Sequence, residues 1–161
     1  MTDNSYEEFV PKCGRCLMLW SSRYIVRAAL NQNEIPELVL RAFENPVHKR
    51  LFESVRRVWE ILIQTTTETY VVHEPNCFYL SVHEHLVMTE LDCLQNPIHN
   101  EFGASLAAVL PQSSLRLIGP EMQSLAKFVY LIDQANQFRA ENNQQQELLF
   151  SRSVQGNSRI H

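Results

Sequence analysis

The chain is poor in glycine, with four in 161 residues, and that scarcity removes several functions at once. A phosphate-cradling loop needs glycines gathered in a short run, whereas these stand apart at Gly14, Gly103, Gly119 and Gly156. The same spacing leaves no Gly-x-Ser-x-Gly nucleophile elbow. No apolar run approaches the roughly 18 residues that a bilayer span needs, so a membrane partner is not expected. The first residues, from Met1 to Glu8, are acidic and have neither the positive nor the apolar region of a secretory leader. A cytoplasmic location is therefore expected. Four cysteines in a chain of this length are too sparse for a disulfide framework.

What is present suits a helical protein. Few glycines and prolines, with abundant Leu, Ala, Gln and Glu, favour helices over a β-sandwich. The length fits one domain with a core of its own. The expected fold is mainly α: a single-domain bundle of five or six helices. An irregular arm covers 1–12, the helical domain covers 13–142, and a polar, disordered tail covers 143–161.

Helical periodicity places the elements. Leu17, Trp20, Tyr24 and Ala28 recur at helical steps over about 17–32, with Arg23 and Arg27 on another side. Pro36 opens a short helix to about Glu44, and Asn45-Pro46 breaks the chain. Val47, Leu51, Val55, Val58 and Leu62 form the clearest stripe, over 46–64, with Trp59 beside it. The segments 69–72 and 78–80 have strand composition and predict a short ribbon. Ser81 and Glu84 fit a capping box, starting a helix that runs to about Gln95. A helix over about 99–110 follows, then a buried connector at Leu115, Leu117 and Ile118. Pro120 is read as the start of the last helix, 120–142. There Met122, Leu125, Val129 and Ile132 make one stripe, and Phe128, Leu131, Ala135 and Phe138 make a second. Leu148-Leu149-Phe150 is an apolar knot in the tail.

The chemistry-bearing residues fall into one split set. Cys13-Gly14-Arg15-Cys16 offers two thiols two residues apart, and His73-Glu74-Pro75-Asn76-Cys77 offers an imidazole and a thiol across a turn. Cys13, Cys16, His73 and Cys77 would complete a tetrahedral Cys₃His zinc site. Four protein ligands close a site and make it structural. Zinc is thus expected to order the ribbon near 69–80 and to fix the start of the first helix against the start of the 81–95 helix. The Cys-x-x-Cys fragment resembles a zinc knuckle over those four residues. His83 and His85 diverge around a helix start, so one of them at most could replace a ligand. Cys93 reads as a core thiol. A redox role for Cys13 and Cys16 is disfavoured, because no strand precedes them in a βαβ pattern.

Charge is unevenly placed. Residues 12–57 carry nine basic and four acidic side chains, a net of +5, and 58–147 carry three basic and eleven acidic, a net of −8. The two halves could attract within one fold. A sharper reading makes Arg23, Arg27, Lys49, Arg50, Arg56 and Arg57 a partner-binding surface. Glu90, Asp92, Glu101, Glu121 and Asp133 show no spacing that would set two carboxylates beside a catalytic histidine. The expected function is a non-enzymatic, zinc-stabilised interaction module, an adaptor or regulator that binds another protein. The alternatives are a nucleic-acid-associated regulator and an enzyme with an unrecognised site.

Overall fold

The computed structural model describes residues 10–66, 70–96 and 101–156, with side chains as far as 147. The α-helices are α1 (Gly14–Asn31), α2 (Glu37–Ala42), α3 (Pro46–Thr65), α4 (Val82–Gln95) and α5 (Gln112–Gly156), with a 3-10 turn at Leu106–Ala108. No strand occurs among the described residues. The mainly helical bundle stands as expected.

Local chemistry explains most of the helix starts. Asn45 caps α3 by accepting the Val47 amide at 2.9 Å, with Pro46 in the first helical position where its missing N–H costs nothing. Leu51, Val55, Val58, Trp59 and Leu62 are then buried on one face, while Val47 at the rim stays 36% exposed. The helix ends at Thr65, in the run of β-branched residues that lose rotamer freedom in a helix. At Ser81 both halves of the capping box form.

The core lies where α3, α5 and α1 meet, and α4 packs on α5. Gly14 permits one close approach: a Cβ there would stand 2.6 Å from the Val129 carbonyl oxygen, so no other residue fits without moving α1 away from α5.

Four expectations change. The last helix begins at Gln112, not Pro120. The stripe of Ile118, Met122, Leu125, Val129 and Ile132 is buried continuously through Pro120. That burial offsets the roughly 3 kcal/mol that an interior proline costs. Of the expected second stripe, Leu131 and Phe138 stay exposed, at 39% and 65%. Next, the helix expected over 99–110 is reduced to turns and the 3-10 segment within its described part. Finally, 143–156 continues α5 where a disordered tail was expected. Glu, Gln and Leu are good helix formers and no Gly or Pro interrupts them before Gly156. Residues 1–9 of the arm, Thr69 of the ribbon, the opening of the 99–110 segment and 157–161 of the tail lie outside the described residues, as do the side chains of Leu148, Leu149 and Phe150.

Candidate interaction site

Arg23 organises the region where the sequence placed a ribbon. It lies on α1 with 1% of its surface exposed, so it does not belong to an outward basic face. Its Nε donates to Glu84 Oε1 at 2.8 Å and its Nη2 to Glu84 Oε2 at 3.2 Å. The remaining N–H groups meet backbone oxygens of the 74–79 loop. Nη1 reaches Glu74 at 2.9 Å, Pro75 at 3.2 Å and Cys77 at 2.6 Å, and Nη2 reaches Tyr79 at 2.8 Å. A guanidinium has five N–H donors in a planar fork, and here the whole fork is used.

Glu84 is the counterpart. Its Oε2 accepts the Ser81 amide at 2.8 Å, its own amide donates to Ser81 Oγ at 3.1 Å, and Oε1 also accepts the His73 amide at 3.2 Å. One carboxylate therefore caps α4, neutralises Arg23 and holds the loop. Burial pushes its pKa up, but the Arg23 guanidinium and the Ser81 and His73 amides outweigh that and hold it below the usual carboxylate range. Removing either partner of such a buried pair costs about 3–5 kcal/mol, because the other is left as an uncompensated charge.

The loop so held needs no cross-strand ladder. Four of its carbonyls and the Val71 and His73 amides are met by side chains from α1 and α4, and the Cys77 amide donates to the Glu74 carbonyl. His83 Nδ1 accepts the Val71 amide at 3.2 Å, and its ring lies 4.5 Å from that of Tyr70. Arg27 adds an outer ion pair to Glu74 at 2.6 Å.

The expected metal ligands are not brought together. Cys13 and Cys16 are joined to each other as a disulfide. His73 and Cys77 sit on the Arg23-bound loop, and no group of three or more His, Cys, Asp or Glu side chains among the described residues is placed to hold an ion. The geometry of α1 gives the reason. Ten residues of helix separate Cys13 from Arg23, about 15 Å at 1.5 Å per residue. The helices also run opposite ways: the start of α1 meets the end of α4, through Arg15 to Asp92 and to Gln95 Oε1, while the middle of α1 meets the start of α4. The start-to-start arrangement expected of a zinc clasp is therefore corrected. His85 is exposed, and Cys93 is buried as a core thiol.

The basic residues of α3 are exposed but matched by acids. Arg50 faces Glu53 at 3.6 Å, Arg56 faces Glu60 at 3.6 Å and Arg57 faces Glu121 at 3.3 Å. Lys49 is exposed on the same helix.

The loop carries large apolar groups on its outer side. Phe78 is 100% exposed, Tyr79 78% and Val82 82%, with Val71 and Leu80 also exposed nearby in sequence. Backbone pinned from beneath and side chains facing water define the candidate site.

A second buried acid was missed. Glu90 is fully buried and accepts the amides of Gly103 at 2.7 Å, Ser105 at 3.0 Å and Leu106 at 3.0 Å, closing the turn that precedes α5. The signal was available: Glu84, Val87, Glu90 and Leu91 share one face of α4 at three- and four-residue steps. An acid within an apolar stripe marks a buried acceptor. No helix among the described residues is long and apolar enough to cross a membrane. No family model, curated protein or solved structure matches the chain.

Proposed function

We propose that the chain is a non-enzymatic protein-binding module, an adaptor or regulator acting in the cytoplasm, whose recognition element is the 71–82 segment. The observation that carries this reading is the exposure of Phe78, Tyr79 and Val82 on backbone held by Arg23 and Glu84. Aromatic side chains supply much of the energy at protein interfaces. A segment already fixed before contact loses less entropy on binding. The buried acids support a non-catalytic role, because Glu84 and Glu90 already have their oxygens engaged by amides or Arg23.

The test is a photo-reactive amino acid placed at Tyr79 and, separately, at Tyr130 on α5, in the cells that make the protein. The reading expects a discrete protein adduct from position 79 that unlabelled wild-type chain competes away and a Phe78→Ser/Val82→Ser variant does not. Equal adducts from both positions, or none from 79, would contradict it.

Zinc at Cys13, Cys16, His73 and Cys77 would need both sulfurs of the bonded pair as thiolates and a different course for the 73–77 loop. Metal analysis of the reduced protein checks it. One equivalent of zinc, lost on replacing each of the four, would establish the zinc-stapled form. The nucleic-acid alternative rests on exposed Lys49, Arg50, Arg56 and Arg57. Phosphate-driven binding that weakens steeply with salt would support it; the interleaved Glu53, Glu60 and Glu121 weigh against it.

A further inference from the structure

Cys13 and Cys16 lie at the start of α1, away from the Arg23-bound loop at its middle. Cys13 is the N-cap of α1, and its Sγ accepts the Cys16 amide at 3.1 Å. Cys16 is exposed and Cys13 half-buried. The bond closes a very short loop, so it constrains the unfolded chain little. The turn is also fixed by other means. The Gly14 amide donates to Asp133 Oδ1 at 2.7 Å, Asn136 Nδ2 donates to the Lys12 carbonyl at 2.6 Å, and Arg15 donates to Gln95 Oε1 at 2.8 Å. None of the three contacts uses either sulfur.

We propose that Cys13 and Cys16 form a thiol–disulfide exchange site that takes two electrons from an external thiol or dithiol. The external thiolate attacks the exposed Cys16 sulfur. The Cys13–Cys16 bond breaks, and its electron pair leaves on Cys13 as a thiolate. The Cys16 amide and the positive end of the α1 dipole stabilise that thiolate. A second external thiolate then attacks the external sulfur of the mixed disulfide, and Cys16 departs as a thiolate. Both cysteine sulfurs take protons from water. The balance is two external thiols oxidised to one disulfide and one protein disulfide reduced to two thiols. The exchange is stoichiometric and runs backward when the external disulfide is in excess. Cys93 does not compete: burial, followed by the neighbouring Glu90 and Asp92 carboxylates, pushes its thiol up and keeps it protonated.

The experiment uses the full chain. Oxidised protein is exposed in one arm to glutathione and in the other to a small dithiol reductant protein, quenched in acid, and alkylated differentially for peptide mass analysis. The expected result is reversible two-electron interconversion of Cys13 and Cys16 in at least one arm, with the helical circular-dichroism signal unchanged. The arm that reacts identifies the source of the thiol. With one partner of the pair removed, oxidised glutathione should add to Cys16 in Cys13→Ser, releasing one glutathione thiol, about tenfold faster than it adds to Cys13 in Cys16→Ser, since access governs exchange. Resistance of the folded protein in both arms, equal adduct rates, or loss of helix on reduction would overturn the proposal. So would a zinc equivalent that shields Cys13, Cys16 and Cys77 together. Apart from the zinc readout at Cys77, these measurements do not involve the 71–82 segment.

Discussion

Glu84 and Glu90 stand on neighbouring turns of α4, both with their carboxylates out of water, yet they are satisfied in different ways. Glu84 has a cation: Arg23 engages both oxygens, and backbone amides supply the rest. Glu90 is held by three amides from the turn before α5. Each acid fixes a loop that no sheet or long hydrophobic run would otherwise order. The Arg23–Glu84 pair does more, because the same guanidinium also gathers four carbonyls of the 74–79 loop. A charge pair between two helices thus sets the conformation of a third segment. Glu90 acts only on the turn it touches.

The largest effect separates the two acids. Arg23→Met or Glu84→Gln leaves a buried charge without its partner and should lower unfolding stability by about 3–5 kcal/mol in chemical denaturation. The double variant should cost clearly less than the sum of the singles, since neither charge is then stranded. The pair also predicts a pH dependence. The Glu84 carboxyl is held low in the folded state, so its contribution is complete above the unfolded value of about 4.3 and fades as pH falls through the lower folded value. The stability gap between wild type and Glu84→Gln, read from urea midpoints, should narrow below that value and stay constant near neutrality. A gap that widens in acid would reverse the assignment.

Glu90→Gln keeps one acceptor oxygen but turns the other into a donor facing amide donors. A loss of about 1–3 kcal/mol is expected, with no change in the 73–81 segment by amide exchange. Gly14→Ala asks whether the ion pair depends on how α1 sits against α5. The new Cβ would meet the Val129 carbonyl, and a cost of about 1–3 kcal/mol in thermal or denaturant unfolding is expected. The smallest effect is on the α3 surface. Replacing Arg50 and Arg56 together by Ala should change stability by no more than about 0.5 kcal/mol, because both are exposed ion-pair partners.

Much of the bundle is readable from local signals. The caps at Asn45 and Ser81 act within a few residues of themselves, and the stripe on α3 repeats at one period, so both survive into the fold. The helix start at Pro120 does not. A proline argues against a helix by its own geometry, but the burial of Ile118 and Met122 on either side of it is a tertiary gain that no local rule includes. Glu84 was legible as a cap and illegible as a salt-bridge partner, because its second role depends on where α1 runs. Arg23 follows the same logic. Next to Arg27 in the wheel it reads as an exposed basic pair, and only the antiparallel course of α4 brings a carboxylate and four carbonyls to it. The placement of Cys13 and Cys16 apart from His73 and Cys77 follows the same logic. Spacing within each half fits a metal, but the length of α1 and the direction of α4 place the halves at different levels.

Arg23 fixes the 73–81 backbone beneath exposed Phe78 and Tyr79. Amide hydrogen exchange on the wild-type protein tests it most directly, read at His73, Cys77 and Ser81, whose amides donate to Glu84 Oε1, the Glu74 carbonyl and Glu84 Oε2. Protection at all three in wild type, lost in Arg23→Met while amides in the middle of α3 remain protected, is the predicted result. Exchange at the rate of an unstructured chain at these positions in wild type would contradict it.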